Sequence, residues 1–230
     1  MESFPLQPTS EDVQALLLND HATARGQFLE HFEAEVTTVA QALAPAFSTY
    51  RQLDNLVRGN KRTAFVTAFY YTALNSLVSA SQLLVISMFV PAGNLMRQYG
   101  ESLAMALLCS SPLLDVFERF DANPKHFPVD HAVHLVQRRA ARRALNVNEA
   151  AWLNFSNITR FYSSLSHPTA LAVTSQFMLG RDGWLSIGGQ FDPAKTEQYR
   201  VELVRRRSGA QVLVQAGEAL VKSASSQPQS

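Results

Sequence analysis

One segment of the chain carries residue types suited to acid–base chemistry on a phosphate ester. Arg160 and His167 are separated by six residues, and Asn157, Ser163 and Ser164 lie beside or between them. If the segment is helical, positions 157, 160, 164 and 167 share one face, because seven residues make almost two turns. Histidine can transfer a proton near neutral pH, and arginine can bind a phosphate through two hydrogen bonds. The pattern predicts a site that cleaves RNA without a metal, with His167 as acid or base and Arg160 stabilising the transition-state charge.

The same two side chains also have a structural interpretation. Arg160 and His167 could cap and ion-pair the end of the helix and so anchor it to a bundle, since Pro168 cannot continue the helix. Both interpretations need the same helix. They differ in whether the two side chains are accessible or are buried and paired among themselves.

Arg97 and Glu101 form a second candidate cluster. They are four residues apart in an otherwise apolar helical segment, so they share one helix face. Charged groups in an apolar setting are usually paired with a group on another helix. We therefore expect either a structural salt bridge or a site in which Glu101 orients Arg160 or His167 while Arg97 contacts the substrate.

Four arginines form a basic stripe in a further predicted helix. Arg138, Arg139, Arg142 and Arg143 make two adjacent i,i+4 ladders, which could neutralise RNA phosphates. A solvated helix face has the same pattern, and residues 205–207 repeat it more weakly. The net charge of the chain is +1, so binding of nucleic acid would depend on local clusters such as these.

The sequence predicts neither a metal site nor an organic cofactor. His126, Asp130, His131 and His134 do not match a standard zinc spacing. Cys109 is the only cysteine, which excludes an internal disulfide and a cysteine-based zinc site and is typical of a reducing compartment. Glycine-rich phosphate-binding loops and nucleophile elbows are absent from the sequence. We therefore expect a cytoplasmic protein.

An apolar segment raises the question of a membrane span. Residues 64–96 contain no charged side chain in 33 positions, which exceeds the ~20 residues that cross a bilayer. However, Thr72, Asn75, Ser76 and Ser79 form a polar stripe at helical spacing, which favours close packing in a bundle. We therefore expect a bundle helix, with membrane association as the alternative.

The hydrophobic pattern predicts a mainly α fold, a helical bundle with a small C-terminal β-hairpin and a final helix. Hydrophobic residues make up 47% of the chain, enough for a sizeable core, so we expect a single helical domain over residues 1–222 and a disordered tail over 223–230. Pro45 is expected to interrupt the first helical region. The predicted helices span residues 9–56, 62–89, 91–109, 114–120, 129–145, 148–166 and 192–222, and the predicted strands span 171–179 and 184–191.

Two segments resemble a family of uncharacterised bacterial proteins with a HEPN-like helical bundle. Residues 91–104, which include Arg97 and Glu101, resemble the arginine-to-glutamate helix of that family. Residues 162–169 resemble its tyrosine, leucine-serine and histidine-proline ending. The two segments occur in the same order as in the family, and the resemblance covers about residues 60–195.

The resemblance implies a bundle of four or five helices and, for many HEPN proteins, metal-independent cleavage of RNA in toxin or phage-defence systems. It also implies a homodimer or a protein partner, because HEPN domains often pair two motifs. Their motif is an arginine followed a few residues later by a histidine, which Arg160 and His167 match. Active members usually carry a polar residue directly after the arginine, where this chain has Phe161. A non-catalytic HEPN-like interaction module is therefore the alternative.

Overall fold

The computed structural model describes residues 7–123, 149–180, 184–185 and 187–226, and the side chains of residues 149–154 and 184 are not part of that description. The predicted helix at 129–145, the arginines at positions 138, 139, 142 and 143, and the candidate metal residues at 126–134 lie outside the described residues.

The chain is mainly α-helical and ends in a long helix, which confirms the predicted fold class. The helices are α1 (Ser10–Leu17), α2 (Ala22–Asn55), α3 (Lys61–Val85), α4 (Phe89–Ser110), α5 (Val116–Ala122), α6 (Glu149–Leu165), α7 (Ala170–Thr174) and α8 (Thr196–Ser225). Between α7 and α8 lie the strands β1 (Phe177–Met178) and β2 (Trp184–Leu185) and the 3₁₀ turn Pro193–Lys195.

Local sequence signals determine several helix starts. Thr9 and Asp12 form a capping box at the start of α1. The Asn60 side chain accepts a hydrogen bond from the backbone N–H of Thr63 and so caps α3. Pro91 lies in the first turn of α4, where its missing N–H removes no helical hydrogen bond.

Two predictions about the first helical region are wrong. The region breaks between α1 and α2, where His21 adopts a left-handed backbone conformation, with φ of 53°. In contrast, α2 continues through Pro45. Ala46 and Leu53 on that part of α2 are fully buried, so packing of the apolar face offsets the hydrogen bond that proline removes. The irregular point of α2 is Phe32, with φ of −135°.

The hairpin is smaller than predicted. Met178 pairs with Trp184 and Phe177 with Leu185 in a two-stranded antiparallel ladder. The alternating pattern predicted strand from position 171 onward, but Ala170–Thr174 forms the short helix α7 instead. The Thr169 side chain caps this helix by accepting a hydrogen bond from Ala172 N–H, a local signal that overrides the alternation.

Two apolar clusters form the core. The first lies between α3, α4, α6, α8 and the C-terminal half of α2. The second lies against the N-terminal half of α2 and contains four aromatic rings in mutual contact, those of Phe28, Phe32, Phe191 and Tyr199. Most of the uncharged segment at 64–96 forms α3, whose buried residues extend from Val66 to Leu84, so packing in the core explains why much of the segment is apolar. Within the described ranges, no helix has both the length and the hydropathy that a bilayer span requires.

A close approach between α8, α2 and α3 gives a test of the packing. A Cβ atom added to Gly217 would overlap Thr49 Cγ2 and lie 2.7 Å from Tyr70 Oη. Both neighbours are buried, so we expect Gly217→Ala to lower the free energy of unfolding by about 1–3 kcal/mol through overpacking. Urea denaturation followed by circular dichroism measures the change.

Gly26→Ala is the matched control, because nothing lies within 4 Å of the added atom in α2. This change should raise the free energy of unfolding by about 0.5–1 kcal/mol, since alanine favours a helix. A Gly217→Ala protein as stable as Gly26→Ala would contradict the packing of α8 against α2 and α3.

Candidate functional site

Helix α6 packs in antiparallel orientation against α4, and two glycines allow the approach. A Cβ atom at Gly93 would lie 2.5 Å from Leu165 Cδ1, and one at Gly100 would lie 2.8 Å from Thr159 Oγ1. The contacting side chains of α6 are buried. The C-terminal end of α6 therefore lies beside the N-terminal half of α4, which carries Arg97.

A buried carboxylate joins α6 to α8. Glu202 is 2% exposed, and its Oε2 accepts a hydrogen bond from the Tyr162 hydroxyl at 2.8 Å. Its Oε1 accepts from Arg205 at 2.6 Å, and its Oε2 is also paired with Arg206. Both arginines come from the turn of α8 that follows Glu202. This arrangement, the Glu202 network, fixes the rotation of α6 because Tyr162 is itself fully buried.

Burial and ion pairing have opposite effects on the pKa of Glu202. Burial raises the pKa of Glu202, but the pairs with Arg206 and Arg205 and the hydrogen bond from Tyr162 offset burial, so the pKa lies below its ordinary value. Burial raises the pKa of Tyr162, which keeps its hydroxyl proton available for the carboxylate. The guanidinium of Arg205 also lies 3.9 Å from the centroid of the Phe161 ring. Phe161 therefore has a structural contact of its own.

Helix α6 ends before His167. Its last residue is Leu165, and the turn after it is closed by hydrogen bonds from Ser166 N–H to Ser163 O and from the Thr169 hydroxyl to Ser164 O. The stop ahead of Pro168 agrees with the sequence. Because His167 lies in the turn, its direction is not set by the helical periodicity of α6.

Arg97 joins Glu101 to His167. Its Nε donates to Glu101 Oε1 at 2.7 Å, and its Nη1 lies 3.4 Å from His167 Nε2. The side chains of Arg97 and Glu101 are 20% and 18% exposed, and His167 is exposed. The Arg97–Glu101–His167 cluster is therefore accessible from solvent.

The chemistry of the cluster depends on its donors and acceptors. Arginine has no acceptor, so in the contact with His167 the guanidinium donates and Nε2 accepts. This requires a neutral imidazole that carries its proton on Nδ1. A neutral imidazole can take a proton from a substrate, and an anion placed beside Arg97 would stabilise the imidazolium that results. Glu101 holds the guanidinium in place through Nε.

Arg160 does not join the cluster. It lies on the exposed face of α6 with Asn157, opposite the stripe that packs on α4. Because His167 turns toward Arg97, no hydrogen bond links Arg160 to His167 among the described residues. The structure thus brings together Arg97, Glu101 and His167 and leaves Arg160 at a separate exposed position.

The two predicted serines form hydrogen bonds within α6. The Ser163 hydroxyl donates to Thr159 O at 3.0 Å, and the Ser164 hydroxyl donates to Phe161 O at 2.6 Å. Both side chains are partly exposed, so each oxygen can still accept a hydrogen bond from a ligand.

The Glu202 network was not predicted from the sequence. The arginines at 205–207 predicted a weak basic patch, but Arg206 is fully buried, so that prediction is wrong for this residue. The physical reason is the ion pair with Glu202 one turn earlier. The available signal was the spacing, since Glu202 precedes Arg205 and Arg206 by three and four residues.

A metal centre is not found in the part of the chain that the structure describes. No set of three or more His, Cys, Asp and Glu side chains among those residues could hold a metal ion. Comparisons with protein families, with curated proteins and with solved structures find no match to this chain. The geometry of the Arg97–Glu101–His167 cluster is therefore the main evidence for a function.

The Glu202 network predicts a pH dependence of stability. A carboxyl whose pKa is lower in the folded state stabilises the fold above its unfolded pKa, ~4.3 for glutamate. That contribution is lost as the pH falls through the folded value. We expect Glu202→Gln to lower the free energy of unfolding by about 3–5 kcal/mol at neutral pH. We also expect the variant to lose less stability than wild type on acidification below ~4.3, as measured by urea denaturation across the pH range.

Glu197→Gln is the control on the same helix, because the Glu197 side chain is 76% exposed in its pair with Arg200. Its acid dependence should match that of the wild type. Equal acid sensitivity of Glu202→Gln and wild type would refute the pairing of Glu202.

Proposed function

We propose that this chain is a HEPN-like helical-bundle protein that cleaves RNA without a metal ion at the Arg97–Glu101–His167 cluster. The single observation that carries the proposal is the 3.4 Å contact between Arg97 Nη1 and an exposed, acceptor-bearing His167 Nε2. A phosphate-binding group and a proton-transfer group thus share one accessible location. The resemblance of the two segments around these residues to HEPN-like proteins supports the same function.

The proposed reaction uses side chains alone. On binding of RNA, the guanidinium of Arg97 moves its hydrogen bond from His167 Nε2 to a phosphoryl oxygen, which frees Nε2 as a proton acceptor. His167 Nε2 then takes the proton of a ribose 2′-hydroxyl, and the 2′-oxygen attacks the adjacent phosphorus. The bond from phosphorus to the 5′-oxygen breaks, and the leaving oxygen takes a proton from a water molecule. The hydroxide that remains takes the proton held on His167, so the neutral imidazole is regenerated. Arg97 stabilises the negative charge that accumulates on the phosphoryl oxygens, and Glu101 orients Arg97. The products are a 2′,3′-cyclic phosphate and a free 5′-hydroxyl.

The rest of the proposal concerns binding and context. Arg160 is proposed to contact a phosphate next to the cleaved one, with Asn157, Ser163 and Ser164 as hydrogen-bonding neighbours on the same helix. The arginines at 138, 139, 142 and 143 are proposed to bind the RNA backbone. We propose a cytoplasmic homodimer, or a complex with a protein partner, that acts as a toxin or in phage defence.

The test is cleavage of a mixed-sequence RNA in excess EDTA. We expect the wild type to cut, His167→Ala to lose about 10²–10⁴-fold in rate because its proton acceptor is gone, and Arg97→Ala to lose about 10²–10³-fold. Single-turnover rates and end-group analysis of the products measure both effects.

His31→Ala and Arg51→Ala are matched controls, since both residues are exposed on α2. Each should cut as the wild type does. Intact RNA across a broad panel would contradict the ribonuclease proposal.

A non-catalytic interaction module is the second candidate. The observation that favours it is the contact of Phe161 with Arg205, which uses the position after Arg160 for packing. A folded wild type that leaves RNA uncut but forms a stable dimer in light scattering would support this candidate.

A further inference from the structure

A pocket of about 180 Å³ lies at the N-terminus of α4, away from the Arg97–Glu101–His167 cluster. One wall is the first turn of α4 with the preceding Ser87 and Met88. The opposite wall comes from the hairpin segment, from Lys195 and from the start of α8. The pocket contains none of the residues proposed to cleave RNA, so a ligand bound there would be independent of that function.

Lys195 is the charged group of this pocket. It is 7% exposed, and its Nζ donates to Ser175 O at 2.8 Å. An ammonium group has three donors, and among the described residues Lys195 forms no ion pair. Burial lowers the pKa of Lys195, and Asp192 partly opposes this effect. A buried cation with one neutral acceptor is a costly arrangement unless an anion joins it.

The nearest carboxylate is already occupied. Asp192 accepts hydrogen bonds from the backbone N–H groups of Leu179, Gly180 and Ala194. These bonds fix Asp192 as the cap of the turn that leads into α8. The carboxylate therefore organises the wall of the pocket instead of pairing directly with Lys195.

The α4 side of the pocket also favours negative charge. Met88 at the N-cap makes no side-chain capping hydrogen bond, so it leaves the first-turn N–H groups of Phe89 and Val90 uncapped. The positive end of the helix dipole lies there as well. The Ser87 hydroxyl is buried at the pocket beside the Tyr199 hydroxyl. These groups and Lys195 line the same pocket.

We propose that this pocket binds a compact organic anion, with Lys195 as the ion-pair partner of its charged oxygen group. The Phe89, Val90, Pro91 and Met178 side chains contact its short apolar part. The volume is below the ~300 Å³ at which pockets for drug-sized ligands begin, which selects small acids. Carboxylates and phosphates both carry a negatively charged oxygen that can pair with the Lys195 ammonium group. Titration with one ligand of each kind distinguishes them.

The test is an NMR titration of the full chain at constant ionic strength, with hexanoate, inorganic phosphate and 1-hexanol as probes. We expect hexanoate to shift the backbone amide signals of Phe89 and Val90 and the side-chain signals of Lys195. We expect 1-hexanol to bind at least about tenfold more weakly, because it lacks the charge. Phosphate binding stronger than that of hexanoate would support the proposal with phosphate as the ligand group.

Lys195→Met should weaken binding of the preferred anion at least about tenfold. Lys222→Met, near the far end of α8, should leave the affinity unchanged. If Lys195→Met does not fold, the proposal is tested by the wild type alone, through the shifts of its Lys195 and Phe89 NMR signals on addition of the anion. Equal affinity of the preferred anion and 1-hexanol, anion shifts that avoid the pocket, or unchanged binding by folded Lys195→Met would each overturn the proposal.

Discussion

The ionised carboxylate of Glu202 is the constraint on which the positions of α6 and α8 depend. It is buried between the two helices and has hydrogen-bonding partners in both, Tyr162 on one side and Arg205 and Arg206 on the other. Removal of one partner would leave an unpaired charge in the core, which is far more costly than loss of a surface salt bridge. The helices therefore have one relative rotation that satisfies the charge, and apolar packing alone would not select it.

The rotation of α6 about its axis determines which of its side chains face α4 and which are exposed to solvent. With Tyr162 directed to Glu202, the stripe that includes Thr159 and Leu165 faces α4, where glycines permit a close approach. The helix then ends beside Arg97, and the turn places His167 next to the guanidinium. A structural ion network and an accessible cation–imidazole pair are thus linked through one helix, so changes in the first are expected to move the second.

Hydrophobic periodicity and the stop at Pro168 were sufficient to predict most of the described helices, because these signals act within a few residues. The extent of the strands was not predictable from alternation, since Thr169 caps a helical turn in the same stretch. For the candidate site, the relevant residue types were recognisable. The partner of His167 was not, because the contact with Arg97 spans 70 residues and depends on how α6 lies against α4.

Arg97 and His167 are proposed to act in one cleavage step, and their energetic coupling tests this most directly. The measurement is a double-mutant cycle on the single-turnover rate at which one RNA oligonucleotide is cleaved in excess EDTA. The variants are Arg97→Gln, His167→Asn and the combination of both. A shared step predicts losses of activation free energy that are not additive, with a coupling of about 0.5–3 kcal/mol. Additive losses, or a rate that none of the variants changes, would contradict the account.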